Sequence, residues 1–265
     1  MTKPKPKAKP RMRTKPSGLS VVIPTYHTQA DLLEKSIRSV VEQKPAPEFV
    51  FVIEDGVQPE VPALVRSFKN PRVILIRLPN NVGPLMARRI GIEATKTPFI
   101  AFQDADDESL PGRFAAQLDY LQKHPRCAVV SVITVDNKGG KLCGPCTRQH
   151  MFENGNSLHG GHCMFRREAY DDCGGIDAFG EWIPGGEKLF LGEDYALWLQ
   201  MIAAGWEIGR VEEVLYRRHR HDRSLTARFT RECDDIGVRL RGLIQAKVSY
   251  RGGDHFDTQP ESGLR

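Results

Sequence analysis

The stretch Pro98-Phe-Ile-Ala-Phe-Gln103, followed by Asp104-Ala-Asp-Asp107, determines how the rest of the chain is interpreted. An apolar run of strand length ends there in three carboxylates within four residues. Continuous apolar residues are typical of a strand buried on both faces of a parallel sheet. Open α/β sheets bind their ligands at the carboxyl ends of such strands. The stretch therefore predicts a buried strand with a polar ligand site at its end.

The carboxylates of this stretch have the spacing of a D-x-D motif. Asp104 and Asp106 are two residues apart, so they lie on the same side of an extended chain. Carboxylate oxygens are hard ligands that suit Mg²⁺ or Mn²⁺, and such an ion neutralises a diphosphate. The alternative is an acidic loop that caps the next helix, since Asp and Ser are common N-cap residues.

The apolar segments before and after this strand alternate with helical patterns. Residues 19–23, 49–53, 73–76 and 128–133 resemble buried strands, and helix-spaced apolar residues separate them. Thr28-Gln-Ala-Asp31 resembles a capping box for the first helix. The alternation predicts a parallel sheet covered by helices. Neither a G-x-G-x-x-G after the first strand nor a G-x-x-x-x-G-K-[ST] occurs, so a phosphate-bearing ligand needs another anchor.

The net charge of +5 comes from the first residues of the chain. Residues 1–17 carry seven Lys or Arg and no acid, and without those seven, 31 basic and 33 acidic residues remain. A Lys-Pro alternation with little to bury predicts a disordered basic tail, either solvated or bound to an anionic surface or nucleic acid. Residues 251–265 are predicted to be a flexible C-terminal tail. No secretory signal or run of about 18 apolar residues is present, so a cytoplasmic protein without a transmembrane segment is expected.

The cysteines raise a separate question. Six cysteines without a signal sequence favour free thiols over a disulfide framework. Cys143-Gly-Pro-Cys146 is spelled like a thioredoxin-type motif, but its Gly-rich context does not favour redox chemistry. Structural Zn²⁺ at Cys143 and Cys146 is the stronger hypothesis, with His159, His162 and Cys163 nearby in sequence. The alternative is a loop with free thiols.

Several short motifs, taken in order, resemble the inverting glycosyltransferases of family 2, which have the GT-A fold. Each motif is weak alone, and their order and spacing over roughly residues 18–226 carry the resemblance. They are Val21-Val-Ile-Pro-Thr-Tyr26, Asp55-Gly56, Asn81-Val-Gly83 with Ala87-Arg88, Phe102-Gln-Asp-Ala-Asp-Asp107, Met164-Phe-Arg-Arg167, Gly174-Gly-Ile-Asp177, Glu193-Asp-Tyr195, and His221 three residues before Ser224.

The resemblance implies an α/β GT-A (nucleotide-diphospho-sugar transferase) fold, in which a Rossmann-like, mostly parallel sheet carries helices on both faces. It implies one domain over residues 18–250, with a nucleotide-binding half (18–135) and a loop-rich acceptor half (136–250). The implied activity is a hexosyltransferase type of reaction. Mn²⁺ or Mg²⁺ assists an inverting transfer from a nucleotide-diphospho-sugar, with UDP-sugar as the expected donor, to a hydroxyl of a glycan, lipid-linked or protein acceptor.

The resemblance also implies roles for single residues. Asp194 is the catalytic base. The donor-binding residues are Pro24, Tyr26, Asp55, Gly83, Arg88 and Asp104, and the metal ligands are Asp106 and His221. Each role has a structural alternative. Tyr26 can be a core residue, Asp55 a turn residue, and Asp194 a first-turn acid that favours the helix dipole. Arg88 can be an exposed helix residue, and His221 a solvated one.

The sequence departs from the family pattern at two positions. Arg89 stands where Asn is usual after Ala87-Arg88, and His219 stands where Arg is common two residues before the metal-side His. These departures concern the donor and acceptor rather than the fold. The second functional hypothesis is a catalytically weak GT-A-like module that binds a nucleotide or glycan and is recruited through its basic tail.

Overall fold

A computed structural model describes residues 16–142, 144–178, 192–220 and 235–243 of the chain. Its strands are β1 (Leu19–Thr25), β2 (Phe49–Asp55), β3 (Val73–Leu78), β4 (Phe99–Phe102), β5 (Glu108–Ser109), β6 (Cys127–Asp136), β7 (Lys141–Leu142), β8 (Met164–Arg166) and β9 (Glu207–Arg218). Its helices are α1 (Ala30–Val41), α2 (Val61–Ser67), α3 (Gly83–Glu93), α4 (Arg113–Lys123), α5 (Arg148–Glu153), α6 (Arg167–Asp172) and α7 (Glu193–Ala203). Residues 235–243 are helical.

The described strands form one sheet in the order β3-β2-β1-β4-β8-β6-β9-β5, with β7 paired to β6. The first four strands are parallel, as the alternating pattern predicts. β8 lies between β4 and β6 and is antiparallel to both. β6 and β9 are parallel, and β5 pairs with β9 antiparallel. Residues after position 136 therefore contribute two central strands to the sheet that the first half of the chain begins.

Helices cover both faces of the sheet. One apolar cluster joins the strands to α1, α2 and α4, and the other joins them to α3, α5, α6 and α7. Gly91 lets α3 lie directly on β1, since a Cβ at this position would lie 2.3 Å from Val22 Cγ1. The two clusters make β1 and β4 apolar on both sides, which explains their continuous apolar sequence.

The predicted capping box is wrong. α1 begins at Ala30 with Gln29 as the N-cap, and the cap makes no side-chain hydrogen bond. The predicted basic tail lies outside the described residues except for positions 16 and 17, and the predicted C-terminal tail lies outside them entirely. The domain boundaries stay a prediction. In the part of the chain that the structure describes, no helix has the length and apolarity needed to cross a membrane.

Candidate active site

The site lies at the carboxyl end of β4, where Arg88 of α3 contacts the first carboxylate of the acidic motif. Arg88 Nη2 donates to Asp104 Oδ1 at 3.0 Å. The guanidinium also lies over the ring of Phe102, 5.1 Å from its centroid. Arg88 is only 8% exposed. The alternative of a solvent-exposed helix arginine is therefore wrong, because the guanidinium is buried against Asp104 and Phe102.

Arg88 also connects the acidic motif to α7. Its Nη1 donates to Oε1 of Glu193, the first residue of that helix, and both side chains are buried. Burial raises the pKa of Glu193 to about 7, against the opposing effect of the Arg88 charge. The surrounding carboxylates Glu193, Asp104 and Asp194 raise the pKa of Arg88 despite its burial. One guanidinium thus lies among three acids from two elements that are distant in sequence.

Asp194, the predicted base, is half-buried in the first turn of α7. Its Oδ2 accepts from the Gly160 N–H at 2.6 Å and from Asn156 Nδ2 at 3.4 Å. Its Oδ1 accepts from the Tyr195 N–H at 2.7 Å. Hydrogen bonds of this kind fix the direction of the carboxylate. The structure therefore holds Asp194 in one orientation, as a positioned base requires.

Two glycines let Asp104 and Asp194 approach the same stretch of backbone. A Cβ on Gly160 would lie 3.1 Å from Asp194 Cβ and 3.5 Å from Arg88 Nη2. A Cβ on Gly161 would lie 2.3 Å from Asp104 Oδ2 and 2.7 Å from the hydroxyl of Tyr216. The backbone of residues 160–161 therefore packs closely against the side chains of both Asp194 and Asp104.

The end of the acidic motif contacts the end of β9. The His219 N–H donates to Asp107 Oδ1 at 2.8 Å, and His219 Nε2 lies 2.6 Å from Glu108 Oε1. Burial, with the charges of Asp104 and Asp106, raises the pKa of Asp107 well above its ordinary value. His219, which departs from the family pattern, thus holds the two residues that follow Asp106.

Asp104 and Asp106 fit a hard cation by the chemistry of their donor atoms. Both are half-buried at the end of β4. In proteins, Mg²⁺ is commonly held by one or two carboxylates together with substrate phosphates. Within the described ranges, no three His, Cys, Asp or Glu side chains are grouped to hold a metal ion. The other predicted ligand, His221, lies outside the described residues.

Asp55 and Gly83 are bonded to each other. The Asp55 carboxylate accepts from the N–H groups of Val82 and Gly83, at 2.6 and 3.0 Å, and from Asn81 Nδ2 at 2.9 Å. Gly83 has φ of 85°, which suits glycine at the start of α3. The Gly83 N–H is therefore used by Asp55, and the carboxylate caps this helix from the end of β2.

Pro24 and Tyr26 lie at the end of β1, beside the end of β2. Pro24 is half-buried and aligned with Ile53. Tyr26 is 54% exposed, so the alternative that it is a core residue is wrong. Its ring lies 4.4 Å from the His27 ring and beside Gly56, where a Cβ would be 3.6 Å away. An exposed aromatic face at a strand end can stack on a base.

The zinc hypothesis stays a prediction. Two of the residues suggested as ligands, His162 and Cys163, make hydrogen bonds to other groups of the protein. Cys143 lies outside the described residues. Burial raises the pKa of the Cys146 thiol to about 11. His162 Nδ1 lies 2.7 Å from the Thr134 hydroxyl, and Cys163 donates its thiol hydrogen to the His159 carbonyl. These bonds engage the His162 ring and the Cys163 thiol with other groups of the protein.

Sequence analysis missed three contributors to the site. It did not single out the Gly160-Gly161 pair, the Tyr216 hydroxyl, which accepts from the Asp104 N–H at 3.3 Å, or Arg113. Arg113 is fully buried and donates to Gln103, to Ser109 and to the carbonyl of Phe102. A Gly-Gly pair just before an apolar run was the available signal, because such pairs mark close backbone approach.

The chain is similar in sequence and fold to known glycosyltransferases. The "Amylovoran biosynthesis glycosyltransferase AmsE" of Erwinia amylovora is 26% identical over 208 residues, covering 75% of this chain and 74% of that protein. An uncharacterised glycosyltransferase of Methanocaldococcus jannaschii is 23% identical over 257 residues, covering 90% and 81%. The crystal structure of S. aureus TarS 1–349 in complex with UDP matches with a TM-score of 0.64 at 16% identity. It covers 85% of this chain, which spans 64% of that one.

The fold and the site define a glycosyltransferase with the GT-A fold, as the sequence motifs predict. The family model described as "Glycosyl transferase family 2" matches residues 20–174, more than half of the chain. The chain belongs to glycosyl transferase family 2.

Proposed function

We propose that the protein is a metal-dependent inverting glycosyltransferase that moves a sugar from a UDP-sugar to a hydroxyl acceptor. The observation that carries the proposal is the convergence of Asp104 and Asp194 around Arg88 and the 160–161 backbone. A donor-side carboxylate and a positioned base at one strand end are what such a transfer needs. The UDP bound in the TarS structure supports the choice of nucleotide.

The nucleotide is proposed to lie across the ends of β1, β2 and β4. The exposed ring of Tyr26 stacks on the base. The Pro24 carbonyl and Asp55 line the edge of the base. Asp55 also fixes the start of α3, so it shapes this pocket through the backbone as well as by direct contact. Asp104, half-buried and held by Arg88, reaches the ribose or the sugar.

In the proposed step, the acceptor hydroxyl oxygen forms a bond to the anomeric carbon of the donor sugar. The bond between that carbon and the diphosphate oxygen breaks, and UDP leaves with the electron pair. Asp194 takes the proton of the hydroxyl. Attack from the face opposite the leaving group inverts the anomeric centre. A base of this kind typically contributes about 10²–10⁴ in rate.

The divalent ion is proposed to be held by Asp106, with Asp104 beside it and His221 as a further ligand. Carboxylate oxygens and a neutral imidazole are suitable ligands for Mn²⁺. When bound, the ion supplies a Lewis acid that neutralises charge on the departing diphosphate. Asp107, which is buried and bonded to His219, anchors the backbone next to Asp106.

The first experiment screens nucleotide-sugars by thermal shift with and without Mn²⁺, then measures turnover with each ligand that stabilises the protein. Asp106→Asn is expected to abolish the Mn²⁺-stimulated turnover and leave the melting temperature unchanged. Asp119→Asn is the matched control, because this exposed acid of α4 pairs with Lys123 on the surface, at 2.8 Å. Normal stimulated turnover in Asp106→Asn refutes the metal assignment. Nucleotide binding without any turnover favours the binding module.

A further inference from the structure

The donor diphosphate carries negative charge, and two of the predicted donor-binding residues that could hold it, Gly83 and Arg88, are already engaged. The Gly83 N–H donates to Asp55 at 3.0 Å. The Arg88 guanidinium is buried between Asp104 and Glu193. Both groups are therefore bonded to carboxylates of the protein itself. The proposed function places a diphosphate beside these carboxylates, and apart from the divalent ion proposed at Asp106 neither group supplies it with an uncommitted positive charge.

Arg218, the last residue of β9, faces the same side of the sheet as Tyr216. Side chains two residues apart in a strand lie on one face. The Tyr216 hydroxyl lies 3.3 Å from the Asp104 nitrogen, so this face looks onto the acidic motif. Arg217 lies on the other face, where Nη1 is 4.0 Å from Glu108 Oε2. Alternation along β9 therefore directs Arg218, and not Arg217, toward the site.

The charge of Arg218 acts on two buried groups around the site, Asp107 and His162. It opposes the rise in pKa that burial causes at Asp107. It also helps to lower the pKa of His162, for which burial is the main cause. Arg218 is half-buried, and within the described part of the chain it makes no hydrogen bond or ion pair through its guanidinium. A half-buried charge in this state gains from an anionic partner.

An ion pair with Asp136 would give Arg218 a purely structural role, because Asp136 lies opposite Arg218 in the β6–β9 pairing. Its Oδ1 accepts from the N–H groups of Lys138 and Gly140, at 2.9 and 2.8 Å. The guanidinium within reach of Asp136 Oδ2 is that of Arg220, at 3.8 Å. Asp136 is thus turned to its own β6–β7 turn and to Arg220.

We propose that Arg218 binds the diphosphate of the nucleotide-sugar donor. Its planar guanidinium can donate two parallel hydrogen bonds to phosphate oxygens. It extends from the end of β9, whereas Arg88 extends from α3. As the bond to the sugar breaks, negative charge grows on the departing diphosphate, and a fixed cation there stabilises that charge. This inference rests on the proposed function, because it assumes a nucleoside diphosphate donor.

The test compares UDP with uridine, which share the base and ribose and differ in the diphosphate. Isothermal calorimetry at a fixed Mn²⁺ concentration is performed on the wild type, Arg218→Gln and Arg217→Gln. Arg218→Gln is expected to weaken UDP binding by about tenfold or more, the usual value of a charged hydrogen bond, and to leave uridine binding unchanged. Arg217→Gln removes the same charge from the opposite face and is expected to change UDP affinity less than twofold. Arg218→Lys is expected to restore part of the loss.

Three results would overturn the inference. If UDP binds Arg218→Gln as tightly as the wild type, Arg218 does not contact the diphosphate. If UDP and uridine lose affinity equally, or if the melting temperature falls with them, Arg218 has a structural role. If both arginine variants weaken UDP binding equally, the loss of affinity comes from the lower positive charge of the region and not from a contact of Arg218 with the diphosphate. A wild type that binds no nucleotide contradicts the proposed function itself, which separates the two failures.

Discussion

The close approach at Gly161 gives the sharpest structural prediction. Gly161→Ala places a Cβ 2.3 Å from Asp104 Oδ2, 2.6 Å from Asp104 Cγ and 2.7 Å from the Tyr216 hydroxyl. Ordinary contacts between such atoms begin near 3.5 Å, so Asp104 has to move by about 1 Å. The carboxylate is held by Arg88, so the movement strains that bond as well.

Two effects of different size follow from this displacement. Overpacking of a buried site costs about 1–3 kcal/mol of folding free energy. A misplacement of about 1 Å at a reacting centre can reduce the rate about 10²-fold. We therefore expect a melting temperature lower by several degrees, since about 1 kcal/mol corresponds to ~2–4 °C at this size. The loss of kcat/KM should be far larger than a change in stability of that size suggests.

The assay measures initial rates with the nucleotide-sugar selected by thermal shift, at a temperature where the variant is fully folded. Gly242→Ala is the matched control, because a Cβ there meets nothing within 4 Å and the residue lies in a helical segment. The control should be neutral or stabilised by up to about 1 kcal/mol. A Gly161→Ala variant with normal rate and normal melting temperature would refute the close packing of residues 160–161 on Asp104.

Two further predictions concern the buried pair of Arg88 and Glu193. Arg88→Met should destabilise the fold by about 3–5 kcal/mol in urea unfolding, because it leaves Glu193 buried without its partner. Arg89→Met, which removes exposed ion pairs to Glu93 and Asp177, should cost about 0–1 kcal/mol, and an equal loss in both variants would contradict the burial of Arg88. Burial raises the pKa of Glu193 from 4.5 to about 7, so the folded state holds a proton that the unfolded state releases. The stability this provides is complete below pH 4.5 and is lost as pH rises through 7, so unfolding at pH 5 and 7.5 should show a smaller difference for Glu193→Gln than for the wild type.

The sequence predicts the fold and the site where the functional residues are adjacent in the chain to the strand that positions them. The apolar run of β4 and the carboxylates after it are adjacent, and the buried strand and its acidic end follow from that alone. The parallel order of β1 to β4 also follows from the alternation of strands and helices. Three of the family motifs, those with Tyr26, Asp55 and Asp104, lie at the carboxyl ends of β1, β2 and β4.

The remaining features depend on contacts that no local pattern reveals. β8 has three residues, too few to show a period, so its antiparallel place between β4 and β6 was not predicted. Arg88 resembles an ordinary helix arginine in its local sequence, and the acids that favour its burial, Asp104 and Glu193, are distant in sequence. The capping box failed because helix α1 begins at Ala30, which makes Gln29 the N-cap instead of Thr28. Pairings between distant residues decide these cases.

The central claim is that Asp194 is the base of an inverting transfer, and Asp194→Asn tests it most directly. The amide oxygen can keep the bond from the Gly160 N–H, although the new NH₂ group then faces the Tyr195 N–H at a modest cost in stability. Turnover is measured as initial rates and UDP binding by calorimetry on the same folded protein. We predict a rate about 10²–10⁴ lower, with UDP affinity within about twofold of the wild type. A retained rate, or a loss of UDP binding that matches the loss of rate, would contradict the claim and direct the search for the base to Glu193 or Asp177.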